Sequence, residues 1–361
     1  MRLLGLLLLL LFLLPDFIMA GDDRETALQI QYGSGFLFAH TEELNYLDAG
    51  RFRTIGVSYE WRKRGEEPWH SYFAYPSSGV FASYTTFGNR ETLGYLLTAG
   101  PFVRFPLFFQ KGATGLQLKL AGGASWLEKP FHPQNNSRNL AIGTHLNVYF
   151  KAKLAVSYQI AEKWELNTGL SFNHFSNGSF QKPNKGINYA QLELGLLRIF
   201  NPKERVPTLE PLAQKTNFTS VMLSASMRSP NLRSNSQFGV LTIHAAYNHW
   251  ISKKFYLMGG ADLVYNAGNR RESEIRNLNP DAKWINYQFG LFGGIAMNYG
   301  PSTIFLNKGY FVFSENISTA GFYHRLGYRR SLSNRYFVHA GIFSNYFQAN
   351  FLDLGIGIKF R

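Results

Sequence analysis

HLNVYFKAKLAVSYQ, His145 to Gln159, decides the fold. Read by twos, Leu146, Val148, Phe150, Ala152, Leu154, Val156 and Tyr158 form one set, while His145, Asn147, Lys151, Lys153, Ser157 and Gln159 form the other. A period of two is that of a β-strand, whose successive side chains point to opposite faces. Both faces are committed here: one is continuously apolar and the other carries lysines. The C-terminal FLDLGIGIKFR, Phe351 to Arg361, repeats the split, with Leu352, Leu354, Ile356, Ile358 and Phe360 against Asp353, Gly355, Gly357 and Lys359. Thr114 to Leu120 does so again, with Leu116, Leu118 and Leu120 against Gln117 and Lys119.

Composition agrees with strands that are apolar outside and polar inside. Aromatic residues make up 16% of the chain and there are 34 glycines, yet mean hydropathy is only -0.17, because apolar and polar residues alternate instead of forming long runs. That is the pattern of an antiparallel transmembrane β-barrel. The first residues, MRLLGLLLLLLFLLPDFIMA, place Arg2 before an apolar run from Leu4 to Leu14 and Ile-Met-Ala before Gly21, the layout of a cleaved signal peptide. The expectation is therefore a signal peptide over residues 1–20 and an outer-membrane barrel over 21–361. The apolar run is shorter than the ~20 residues of a spanning helix.

Turn signals divide the remainder into about eight strands before residue 201 and about eight after 214, a total of roughly 12–16. Between the groups lies NPKERVPTLEPLAQ, residues 201–214, with three prolines and mixed charges, which reads as a loop or linker. It is either a long turn within one barrel or a joint between two small ones. The strand density favours one barrel, in which residues 215–361 supply additional strands.

Function is concentrated in WELNTGLSFNHFSNGSFQKPNKGINYAQLELGL. Trp164, Leu166, Leu170 and Phe172 set the lipid-facing phase, and counting on by twos reaches His174 and Ser176. Counting back from Leu196, Leu194 and Leu192 on the next strand gives Ala190 and Asn188. Three polar residues thus fall on the apolar face beside one turn, where antiparallel neighbours lie ~5 Å apart. Glu193, the nearest carboxylate, falls in the lumen phase. Ser176 has the chemistry of a nucleophile, His174 of its base and Asn188 of the group that orients the imidazole. The structural alternative is an ordinary polar fringe at the headgroup level. Asn177, Gly178 and Asn184 are positioned as oxyanion donors, though Asn and Gly are also common turn formers. Lys182 and Lys185 are candidates for pairing with substrate phosphates.

HFSNG followed by PNKGIN resembles the His-x-Ser-Asn segment and Pro-Asn-x-Gly-Ile turn of the outer-membrane lipid A 3-O-deacylases, also called acyloxyacyl hydrolases. WLEKPFHPQNNSRNLAIGTHLN, residues 126–147, looks like longer members of that kind, and the resemblance spans roughly residues 25–200. It implies an outer-wall His-Ser-Glu triad, a serine esterase mechanism and lipid A of lipopolysaccharide as substrate. The His and Ser carry over to His174 and Ser176, whereas Asn188 stands where the family has glutamate. Outer-membrane phospholipase A also carries His-x-Ser-Asn-Gly, with an asparagine as third member at this spacing. That second resemblance implies a phospholipid substrate, calcium and a homodimer, and no acidic cluster near the motif argues for either calcium or dimerisation. The turn favours the deacylase. A barrel acting as a channel or structural protein is the contrasting class.

The formal charge of +14 does not come from a basic block, so nucleic acid is not an expected partner. With no cysteine there is no disulfide or thiolate metal site, and the nine dispersed histidines form no HExxH pattern. No cofactor or metal is expected.

Overall fold

The computed structural model describes residues 25–360 apart from 40–41, 48–49, 66, 112, 201, 203–215, 231–235, 317–320 and 346–347. The expected signal peptide and nearly all of the 201–214 linker lie outside the described residues. The strands are β1 (Thr26–Leu37), β2 (Phe52–Arg62), β3 (Ser77–Thr86), β4 (Tyr95–Lys111), β5 (Thr114–Leu127), β6 (Leu146–Ala161), β7 (Trp164–Ser176) and β8 (Ile187–Phe200). There follow β9 (Phe218–Arg228), β10 (Phe238–Trp250), β11 (Phe255–Asn266), β12 (Tyr287–Tyr299), β13 (Ser302–Ser314), β14 (Phe322–Ser331), β15 (Tyr336–Asn345) and β16 (Gln348–Phe360). Among the described residues two short α-helices, α1 (Pro68–Tyr72) and α2 (Asn269–Ile275), and one 3-10 helix, Glu42–Leu47, sit in loops.

The architecture is all-β and antiparallel, with sixteen strands among the described residues, but they close as two barrels of eight. This corrects the single barrel favoured by strand density. β1 pairs with β8 from Thr26↔Phe200 to Leu37↔Tyr189, and β16 pairs with β9 from Leu354↔Ala225 to Phe360↔Thr219. Each closure satisfies the outer main-chain groups that lipid would leave unpaired. Two compact units result among the described residues: those from 25 to Asn177 with those from Gly186 to 202, and Gly178–Lys185 with those from 216 to 360.

Eight strands leave an interior just wide enough for side chains. In the first barrel Arg104 bridges Glu60 and Glu165, Arg62 reaches Glu165 at 2.9 Å and Glu25 at 3.0 Å, and Lys151 reaches Glu193 at 2.5 Å. Above these ions lies an apolar plug that includes Phe52, Phe87, Tyr149, Phe175, Ile187 and Tyr189. The second barrel is filled in the same way. Asp262 meets His244 at 2.8 Å, Tyr323 at 2.7 Å and Arg325 at 3.1 Å, while His339 approaches Asp353 at 3.2 Å. A few of the lysines and arginines behind the positive balance, Arg104, Lys151, Lys153 and Arg325 among them, are buried in the lumens beside carboxylates.

The outer walls are the other half of the alternation. Leu170 is 67% exposed and Leu192 61%, against 1% for Glu165 and 0% for Asn173. Lipid is the solvent that makes such a wall favourable. One local departure is His145, which the alternation put in the lumen phase: β6 begins at Leu146, and His145 is exposed with its ring stacked 4.7 Å from Trp126. Pro106 marks a register shift between β4 and β5, as expected for a residue that cannot donate to the ladder.

Candidate active site on the outer wall

β7 and β8 pair without a bulge from Trp164↔Arg198 to Phe175↔Ile187, placing His174 directly opposite Asn188. The phase is held from inside. Phe175, fully buried, and Ile187, 1% exposed, belong to the apolar plug, so their neighbours His174, Ser176 and Asn188 take the outward phase. A one-residue slip would turn the aromatic ring out and the polar groups in.

The three side chains form one hydrogen-bonded line. His174 Nδ1 lies 2.6 Å from Asn188 Oδ1, and Nε2 lies 3.1 Å from Ser176 Oγ. With Asn188 Oδ1 accepting the Nδ1 proton, Nε2 is left to accept from the serine hydroxyl. Ser176 is 2% exposed although its phase is outward, so its hydroxyl is held in a shielded position at the strand end. Glu193 faces the lumen and accepts from Ser171 Oγ at 2.6 Å as well as from Lys151.

Two residues without a role in the sequence reading shape this line. Gly186 has φ +76°, and a Cβ there would stand 2.7 Å from His174 Cε1, so only glycine lets the chain pass so close behind the ring. Its N–H donates to Ala141 O at 3.2 Å. Thr144 Oγ1 accepts from Asn177 Nδ2 at 3.1 Å, tying the residue after the serine to the β5–β6 loop. A glycine inside PNKGIN was a legible signal; Thr144 had none.

Of the other candidates, Asn177 adjoins Ser176 within the first unit. Gly178 and Asn184 belong to the segment Gly178–Lys185, which groups with the second unit, as do Lys182 and Lys185. Lys182 Nζ donates to Ser179 Oγ at 3.2 Å. Burial first, then the Arg228 guanidinium, lower its ammonium to about 8 against the opposing pull of Glu272. Burial lowers Lys185 as well.

A transmembrane barrel with a serine, a histidine and an asparagine in hydrogen-bonded line on its outer wall has the constellation of a membrane-embedded ester hydrolase. Residues 53–196 match the family model for lipid A 3-O-deacylase (PagL), and residues 217–361 match that for the C-terminal domain of acyloxyacyl hydrolase. The chain belongs to the outer-membrane lipid A 3-O-deacylase (acyloxyacyl hydrolase) family, and is an ester hydrolase of the bacterial outer membrane. The second match extends the relationship past residue 200, the limit set by motif resemblance. No curated protein matches the sequence. Among solved structures, Neisserial surface protein A is 12% identical with a TM-score of 0.35, over 48% of this chain and 97% of that one. The outer membrane enzyme PagL is 16% identical with a TM-score of 0.35, over 46% and 97%. A mutant of the Rh. blastica porin is 10% identical with a TM-score of 0.22, over 93% and 100%.

Proposed function

We propose that this protein removes an ester-linked acyl chain from lipid A, with Ser176 as nucleophile, His174 as base and Asn188 as the residue that orients the imidazole. The observation that carries the reading is the line Ser176 Oγ, His174 Nε2, His174 Nδ1, Asn188 Oδ1 on the lipid-facing phase, with links of 3.1 and 2.6 Å. An acyl chain lying in the membrane reaches such a site sideways. Ser176 Oγ attacks the acyl carbonyl carbon while His174 Nε2 takes the hydroxyl proton, and the tetrahedral adduct collapses as Nε2 returns that proton to the departing sugar oxygen. Water then attacks the acyl-serine with His174 again as base, releasing the fatty acid and restoring Ser176.

Asparagine holds the tautomer as glutamate would, but a neutral partner stabilises the imidazolium less. Of the oxyanion candidates we retain Asn177, which follows the nucleophile directly. Lys185 and Lys182 remain proposed partners for substrate phosphates, Lys182 with a charge half lost at about pH 8. The unequal loops at the two ends of the first barrel support a substrate in the outer leaflet. At the end of the first barrel where Ser176 lies, the connections are residues 38–51, 87–94, 128–145 and 177–186; at the other they are 63–76, 112–113 and 162–163. Longer loops face the cell exterior.

Mass spectrometry of lipid A and phospholipids from cells expressing wild type or Ser176→Ala tests the reading. Wild type should release one acyl chain from lipid A, and Ser176→Ala none. Lysophospholipid in place of deacylated lipid A would move the substrate to the phospholipids, and unchanged pools would overturn the enzyme assignment.

A further inference from the structure

The loops at the active-site end of the first barrel enclose a second feature. Tyr46, Asn89, Glu91, Thr92, Arg138 and Leu140 line an open cleft of about 510 Å³, within the ~300–1,000 Å³ usual for small-molecule sites. Three loops build it, and side chains tie them to one another's backbones. Tyr46 OH donates to Arg138 O and accepts from Leu140 N at 3.2 Å, Asn89 Nδ2 donates to Tyr46 O at 3.4 Å, and Asn136 Nδ2 donates to Thr92 O at 2.9 Å. Asn139, fully buried, holds the amides of Ala141 and Ile142 with its Oδ1, both at 3.1 Å. The cleft is therefore set before any ligand arrives.

The same segment leads to the catalytic line. Leu140 in the cleft wall is followed by Ala141, whose carbonyl holds Gly186 against the His174 ring, and Thr144 three residues later holds Asn177. Consecutive Cα atoms are 3.8 Å apart, so cleft and nucleophile are linked by one short, hydrogen-bonded stretch of chain. Its chemistry differs from that of the outer wall. The exposed Arg138 guanidinium is a planar fork for phosphate, Glu91 offers acceptors to hydroxyls, and Tyr46 and Leu140 present apolar surface to a sugar face.

We infer that this cleft is the headgroup subsite of the esterase, taking a phosphorylated sugar ring of the acylated substrate, with Arg138 on the phosphate. This rests on the lipid A reading above. It assigns two parts of one amphiphile to two surfaces: the acyl chain to the wall beside His174 and the phosphorylated saccharide to the loops.

The test uses the full-length protein in detergent micelles with three substrates: phosphorylated lipid A, the same lipid dephosphorylated, and a p-nitrophenyl fatty acyl ester. Arg138→Gln should raise KM for phosphorylated lipid A about tenfold, the effect of losing one charge-assisted contact, with kcat unchanged. Wild type and variant should have equal KM for the dephosphorylated lipid and equal rates on the simple ester, and Arg138→Lys should recover part of the loss. Equal KM of wild type and Arg138→Gln for phosphorylated lipid A would overturn the subsite, as would a loss of equal size on all three substrates. A wild type that cleaves the simple ester but not lipid A would instead overturn the substrate reading and the subsite with it; the wild-type rate alone separates that failure from the other.

Discussion

At the scale of single residues, the question is what an asparagine does where the family pattern has glutamate. Asn188 contributes an oxygen 2.6 Å from His174 Nδ1 and no charge. If its work is to fix the tautomer, the oxygen matters more than the charge. Asn188→Ala should lower kcat by about 10²-fold or more, the lower end of what positioned acid–base catalysis contributes. Asn188→Asp, which keeps an acceptor oxygen on a side chain of the same length, should retain most of the rate. Steady-state hydrolysis of a p-nitrophenyl ester by both variants checks this, and equal losses would show that the oxygen is not what Asn188 supplies. That His174, Ser176 and Asn188 share one face was legible in the sequence because counting by twos from leucines needs no tertiary information. Thr144 was not, because its contact to Asn177 joins two loops and loops carry no period.

At the scale of elements, the β7–β8 hairpin combines a rigid ladder with a turn of different character. The ladder fixes His174 opposite Asn188, and Phe175 and Ile187 lock its phase. The turn carries Lys182, whose ammonium sits at about 8 through burial and the nearby Arg228. In the unfolded chain a lysine titrates near its ordinary 10.5, so between those values the unfolded state binds more protons than the folded one. Stability should therefore rise as pH rises from about 8 to 10, with the charged, buried ammonium disfavoured below that window. Urea unfolding in detergent micelles at the two ends of the window measures the rise, and Lys182→Met should remove its Lys182 share; a variant with an unchanged slope would refute the assignment. Sequence marked Lys182 as a charged turn residue, and nothing local could show that it is enclosed.

At the scale of the whole molecule, strand number was readable and closure was not. Alternation along β6 or β16 states that each strand has a lipid face and a lumen face, but not which strand meets β1. That is settled by the β1–β8 and β9–β16 ladders, whose partners are more than a hundred residues apart in sequence. The proline-bearing stretch at 201–214 was compatible with either answer. The difference has a functional consequence, because a single barrel of sixteen strands leaves an aqueous channel whereas eight strands close on their own side chains. Here Arg104 with Glu60 and Glu165, and Arg325 with Asp262 and Asp353, cross the two lumens, and aromatic rings such as Phe175 and Phe343 pack beside them. The purified protein should therefore show no ohmic single-channel currents in planar bilayers, under the same conditions in which it hydrolyses ester. Steady conductance would contradict the packed lumens; its absence together with esterase activity separates an enzyme that works on its outer surface from a pore that works through its centre.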